Sequence, residues 1–271
     1  MRRIAQILVT LILLSVNVAM AKQEGSDPRP LWRSAEGAAV LPSLAVSSLP
    51  IGGLARSIFV GWIVLYGAFQ KKLLPKAMSR RAAKLFFWPM LPVTYLHRRN
   101  ALWTRVDDSV LVGVAPVAFS VTPANLKRMG VKGVVNLCDE FMGPTRSYAQ
   151  LQMQELRLPV VDHFEPSVAD LQKAVDFIER VTKDGSAVYV HCKAGHGRSA
   201  AVVFAWLTIK HPEKTPKEIQ ALLSSKRKVR KKLHTQKNIL LFRDDWLRRR
   251  GAAKATTKDN DMGNWVEGGG H

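Results

Sequence analysis

The sequence predicts an α/β domain, a mainly parallel central sheet flanked by helices, behind an N-terminal membrane-associated extension. Three observations predict the domain. Short apolar runs alternate with helical patterns from Asn100 to about Arg250, the order that builds parallel sheets. Ala187-Val-Tyr-Val190 has no polar interruption, as a central strand covered on both faces requires. The helical stretches also carry their own start signals.

Taken in order, Val110-Leu-Val-Gly113 reads as a short strand. Thr122 is an N-cap with Pro123 at the first helical position, and Gly130 stops that helix. Val131 to Leu137 is a second strand bounded by Asp139, and Leu156 to Val161 a third ending at Asp162. Ser167-x-x-Asp170 forms a capping box. Val168, Leu171, Val175, Ile178 and Val181 follow at three- and four-residue steps and give one buried face up to Gly185. Beyond His191 comes a Gly-containing loop, then an apolar helix from about Arg198 to Ile209. Thr215-Pro-Lys-Glu218 caps another helix, and a last one, Thr235 to Arg249, buries Ile239, Leu240, Phe242 and Trp246. The polar tail, residues 251–271, reads as disordered.

The charge balance is far from neutral: 41 Lys and Arg against 21 Asp and Glu give a formal +20. Such an excess concentrates anionic partners, whether nucleic acid, acidic membrane or phosphorylated substrate. Cys138 and Cys192, the two cysteines, are too few for a disulfide framework, and a reactive thiol favours a reducing compartment.

Residues 1–21 resemble a secretory signal or signal-anchor: a basic start, an apolar stretch from Ile4 to Met20, and the small-x-small Ala19-Met20-Ala21. Residues 22–99 read as membrane apparatus and basic linker. Ile58 to Phe69, extended back to Ile51, reaches the ~20 residues that span a bilayer, with Arg56 able to snorkel near one end. The alternative is a membrane hairpin or a helix packed on the catalytic domain. Trp62 and Tyr66, in mid-segment, fit a span less well as interface anchors. Lys71, Lys72, Lys76, Arg80, Arg81 and Lys84 follow, with Phe86-Phe87-Trp88, and suit anionic headgroups.

The chemistry concentrates in His191-Cys192-Lys193-Ala194-Gly195-His196-Gly197-Arg198-Ser199, between a buried strand and a helix start. A helix N-terminus offers unpaired N–H groups and a positive dipole end. Gly195 and Gly197 let the backbone curl into an anion nest formed with Lys193, Ala194 and His196. A cysteine at its base loses its proton readily. The planar fork of Arg198 can hold two phosphate oxygens, Ser199 can hydrogen-bond the sulfur, and His191 is expected to tie the loop to its surroundings.

This Cys-x5-Arg-Ser string with its preceding His resembles the signature of the protein-tyrosine-phosphatase superfamily, dual-specificity type. The resemblance implies a cysteine-phosphatase fold and a nucleophilic Cys192 thiolate that forms a phosphocysteine. Loop amides and Arg198 would stabilise the equatorial oxygens, and an aspartic acid would protonate the leaving group, with no metal or other cofactor. Asp162, thirty positions before Cys192 at a strand end, is the expected acid; Asp139 is its rival, since Asp170 belongs to a helix cap and Asp176 lies inside that helix.

Within the superfamily the chain is similar to the mitochondrial phosphatidylglycerophosphate phosphatases from about Trp103 to Trp246. The match rests on Val110–Gly113, Gly133-Val-Val-Asn136 with Glu140 following, Val161-Asp162, Leu171-Gln-Lys173 and Tyr189-Val-His-Cys-Lys-Ala-Gly195. His196-Gly197 stands where that family usually has Arg-Ser. Lys193 with His196 is similar to the two basic loop residues of phosphoinositide 3-phosphatases. These likenesses imply an anionic phospholipid substrate, a membrane partner and mitochondria; the secretory-like terminus leaves endomembrane or plastid open. A phosphoprotein phosphatase and a non-catalytic phospho-ligand-binding protein are the alternatives, the latter disfavoured by the presence of Cys192, Arg198, Ser199 and Asp162 together. The run Lys226-Arg-Lys-Val-Arg-Lys-Lys232 suits an acidic bilayer or a solvated loop, and nucleic acid is disfavoured because no RNA-binding signature accompanies it. Cys138 is expected to be a buried structural cysteine rather than a resolving thiol.

Overall fold

The computed structural model describes residues 53–117 and 120–250. The signal-like residues 1–21, the following stretch to residue 52 and the tail 251–271 lie outside these described residues. The chain divides into two compact units, with the boundary between His97 and Arg98.

In the first unit, α1 (Gly53–Gln70) is followed after a short turn by α2 (Lys76–Arg98). Trp62, Tyr66 and Phe69 recur at helical spacing on α1, and all three meet Phe86 of α2, at centroid separations of 4.7, 4.9 and 6.2 Å. With Ala82 and Ala83 they form a small apolar core of their own. This corrects the expected transmembrane helix. At 1.5 Å per residue α1 is about 27 Å long, its first turn holds Arg56, and its mid-helix aromatics are the seam of a helical hairpin. Among the described residues no helix is long and apolar enough to cross a membrane.

The second unit is built on a five-stranded sheet. The strands are β1 (Trp103–Arg105), β2 (Val110–Gly113), β3 (Val131–Cys138), β4 (Gln154–Val160) and β5 (Ala187–His191). Their order is β1-β2-β5-β3-β4, with β5 central and fully buried. The pairs β2–β5, β5–β3 and β3–β4 are parallel; β1 is antiparallel to β2. The α/β expectation therefore holds. Three-residue β1 was missed because so short a segment shows no periodicity.

Between the strands run α3 (Pro123–Arg128), α4 (Thr145–Gln150) and α5 (Val168–Thr182), and after β5 come α6 (Arg198–Lys210) and α7 (Pro216–Lys226). A 3₁₀ turn (Leu233–Thr235) leads into α8, residues 237–250. The capping signals act as read: Thr122 accepts from the Asn125 amide, and Ser167 and Thr215 each form a complete capping box. Side-chain alternation sorts the sheet. Val110, Val112, Val135, Leu137, Val188 and Val190 join α5 and α6 in one core, and the intervening Leu111, Val134 and Tyr189 are buried too, on the opposite face. Gly133 lets α5 approach closely, since a Cβ there would lie 2.9 Å from the Phe177 ring.

Candidate active site

β5 ends at His191 and α6 begins at Arg198, so Cys192 to Gly197 form the connecting loop at the carboxyl edge of the sheet. The ends of β3 and β4 open onto the same edge, the usual place for a ligand in such sheets.

Cys192 lies at the floor of this loop, 3% exposed, with Sγ 3.3 Å from Oγ of Ser199. Burial alone would push its thiol up. The Arg198 guanidinium, the Ser199 hydroxyl and the amides of Ser199 and His196 outweigh that and hold it below the usual thiol range. Cys138, at the end of β3, has no such support: burial, then the nearby Glu140 charge, raises its thiol well above the ordinary value. It is a buried core cysteine, as expected.

Arg198 is 2% exposed. Its fork makes a bidentate pair with Glu140, at 2.8 and 2.7 Å, and donates to the Val160 carbonyl at 2.8 Å. Its Nη2 is also 3.0 Å from Oδ1 of Asp162. Burial opposes its charge, but the two carboxylates leave the guanidinium fixed in its protonated form. Glu140 reaches it because buried Asn136 shapes the turn after β3. The Asn136 amide donates to the carbonyls of Phe141 and Met142, both at 3.1 Å, and its oxygen accepts from the Cys138 amide.

Of the two aspartates weighed from sequence, Asp162 is held against Arg198; Asp139 directly follows β3, its amide bonded to the Val160 carbonyl at 3.4 Å. Burial would raise the Asp162 carboxyl, yet Arg198, then His163 and Lys193, keep it below the usual range. Lys193 is lowered, first by burial, against the opposing pull of Asp162 and Glu140.

His191 is fully buried, its ring stacked 5.8 Å from Tyr189 and edge-on 6.4 Å from Phe141. Burial, with Arg198 nearby, pushes it down to about 3, so it sits neutral and holds its place by ring packing. His196 is pushed down to about 4, by burial and then by Arg98, Arg230 and Lys228. Burial and the neighbouring cations thus favour the neutral ring.

The loop is braced from outside. Gly195 has φ +63°, and a Cβ there would lie 2.6 Å from the Arg227 guanidinium and 2.7 Å from the Gly113 backbone. Arg227, 3% exposed, donates to the carbonyls of Gly195 at 2.9 Å and Ala194 at 3.4 Å. On its other side it reaches the Ala101 carbonyl at 2.7 Å and the Thr104 hydroxyl at 3.1 Å. The Ala115 amide donates to the Lys193 carbonyl, and the Tyr189 hydroxyl holds the Val114 carbonyl at 2.6 Å. Sequence reading missed Arg227, hidden in a run of seven residues of which six are basic. Buried Val229 inside that run was the available signal that it is not uniformly solvated.

A lowered thiol beneath a glycine-bent loop, with a buried guanidinium and a carboxylate converging on it, defines a cysteine-based phosphate site. The comparisons agree. Residues 116–245 match the model of the dual specificity phosphatase catalytic domain. The phosphatidylglycerophosphate phosphatase PTPMT2 of Arabidopsis thaliana is 34% identical over 147 residues, 52% of this chain and 63% of that protein. The human phosphatidylglycerophosphatase and protein-tyrosine phosphatase 1 is 31% identical over 164 residues, 56% of this chain and 79% of that protein. The crystal structure of PTPMT1 is 27% identical and covers 55% of this chain and 99% of that one, at a TM-score of 0.48. The chain belongs to the dual-specificity phosphatase family, among relatives that include phosphatidylglycerophosphate phosphatases. It spans 63% and 46% of the two Arabidopsis thaliana relatives it matches.

Proposed function

We propose that the protein hydrolyses the phosphomonoester of phosphatidylglycerophosphate, or of a closely related anionic phospholipid, through a phosphocysteine intermediate. The carrying observation is the convergence of a lowered Cys192 thiol, the Arg198 fork and the Asp162 carboxyl at one loop. The Cys192 thiolate attacks phosphorus as the bond to the alcohol oxygen breaks, and Asp162 in its acid form gives that oxygen its proton. Loop amides and Arg198 take up the charge on the equatorial oxygens. Water then attacks phosphorus, Asp162 removes its proton, and sulfur leaves as a thiolate held by the Ser199 hydroxyl.

Asp162 must first acquire a proton. In the free protein Arg198 favours the carboxylate; a substrate dianion entering the loop engages Arg198 and sets negative charge beside Asp162, which raises its affinity for a proton. Asp162→Asn is expected to lower kcat by about 10²–10⁴-fold. The variant should also lose the alkaline limb of the pH–rate profile, because that limb reports deprotonation of the acid. Steady-state kinetics across pH checks both.

The lipid reading is supported by the relatives, whose names specify phosphatidylglycerophosphate. The hairpin adds a second support. Ile58, Val64, Leu73, Leu85 and Trp88 are exposed on it beside exposed Lys71, Lys72, Arg80, Arg81 and Lys84. That composition suits docking onto an acidic bilayer without crossing it. On this reading residues 100–250 are the catalytic domain, 22–99 serve membrane association, and the compartment is mitochondrial. The name of the human relative also includes protein-tyrosine phosphatase, which keeps phosphoproteins as the second reading. Phosphate release by the full chain from anionic phospholipids and phosphopeptides separates the two. The expected result is at least a roughly tenfold advantage in kcat/KM for phosphatidylglycerophosphate, ~1.4 kcal/mol of transition-state preference. Equal or better turnover of phosphopeptides rejects the lipid assignment.

A further inference from the structure

Three cations stand on the outer side of the catalytic loop, apart from the fork of Arg198. The Arg230 guanidinium lies over Gly197, so close that a Cβ on that glycine would meet Nη2 at 3.0 Å. Its backbone amide donates to the His196 carbonyl at 3.0 Å. Arg98 donates to the Lys228 carbonyl at 3.0 Å, and His196 Nδ1 lies 3.2 Å from the same oxygen. These bonds hold the Arg98 guanidinium and the main chain of Lys228 and Arg230 at one edge of the loop, with the Lys228 side chain exposed there.

What this edge lacks is a carboxylate. Arg198 is neutralised by two carboxylates, but among the described residues none of Arg98, Arg227, Lys228 or Arg230 forms an ion pair. Arg98 is lowered by burial against the pull of Cys192, the nearest negative group, and Arg227 is lowered to about 10, by burial and then by Arg98. Cations gathered at one edge, with no carboxylate among them, attract an anion supplied from outside.

We propose that Arg230, with Arg98 and Lys228, forms a subsite for a second anionic group of the substrate, a phosphodiester or second phosphate, next to the phosphomonoester held by the loop. The inference rests on the lipid-phosphatase reading and sharpens it: a glycerol-linked pair of phosphates presents one group to the loop and the other to the rim. Arg227 does not take part, because its donors are committed to loop and chain carbonyls.

The test uses the full chain and soluble probes. Substrates are dioctanoyl phosphatidylglycerophosphate below its micelle concentration and p-nitrophenyl phosphate, which has no second anion. Arg230→Met is expected to lower the ratio of their kcat/KM values at least tenfold, through KM for the lipid, while Arg230→Lys retains most of the ratio. A parallel loss on both substrates overturns the proposal, since Arg230 would then merely brace the loop. A loss seen only with anionic vesicles overturns it too, because the rim would be a bilayer contact. Competition against p-nitrophenyl phosphate hydrolysis keeps this question apart from the functional reading. There, 1,3-propanediol bisphosphate should outcompete the monophosphate in the wild type, and Arg230→Met should abolish that preference. A wild type without phosphatidylglycerophosphate turnover that keeps the bisphosphate preference sinks the functional reading and leaves the rim standing; no preference in the wild type sinks the rim.

Discussion

Replacing Cys192 with serine is expected to remove turnover by roughly four orders of magnitude or more, while orthophosphate still binds. The sulfur is ionised by its setting: Arg198, the Ser199 hydroxyl and two amides overcome the cost of burial. A serine hydroxyl in that place, with an intrinsic pKa far above the thiol, stays protonated and does not attack. The loop is braced by Arg227, Tyr189 and Ala115 rather than by the sulfur, so its shape survives. Removing the thiolate also removes a negative charge facing the phosphate dianion, so affinity for orthophosphate should hold or improve. Turnover of p-nitrophenyl phosphate and titration calorimetry with orthophosphate read the two halves; substantial residual turnover rejects Cys192 as nucleophile.

Arg198→Met should damage both activity and fold. Loss of the fork takes away the principal cation facing the transferred phosphoryl group, at least about 10²–10³-fold in kcat by analogy with a removed oxyanion donor. It also leaves Glu140, 1% exposed, and Asp162 without their cation. Breaking a buried pair from one side costs about 3–5 kcal/mol. The pH dependence gives a sharper check. In the wild type Asp162 has a depressed pKa, so its contribution is present above the ordinary aspartate pKa and is lost as pH falls through the lowered value. In the variant the largest influence that lowers it is gone, so the carboxyl binds its proton more readily than in the wild type. The deficit relative to wild type should then be small in acid and grow as pH rises toward neutrality. Chemical denaturation of both proteins at pH values from about 3 to 7.5 measures the difference; a deficit independent of pH across that range contradicts this account.

The catalytic loop was legible because its chemistry is local. A buried strand, two glycines and a helix start lie within a dozen residues, and the spacing of Cys192 and Arg198 follows directly. Helix starts were legible for the same reason: Ser167 with Asp170, and Thr215 with Glu218, are bonded within one turn. The hidden parts are long-range. Glu140 lies 58 residues from Arg198, and no property of its neighbourhood announces that Asn136 turns it toward a guanidinium. Arg227 serves carbonyls 32, 33 and 126 residues away. The apolar stretch before Lys71 misled for a related reason. Trp62, Tyr66 and Phe69 read alike whether they meet lipid or Phe86, and the partner helix decides.

The external bracing of the loop has a kinetic consequence. A cradle whose curvature is imposed by its neighbours fits the tetrahedral group before and after the ester is cleaved. Released inorganic phosphate therefore finds the same complementary surroundings that its ester did. Departure of that ion then competes with chemistry for control of the overall rate, and accumulating product slows the enzyme wherever phosphate is abundant.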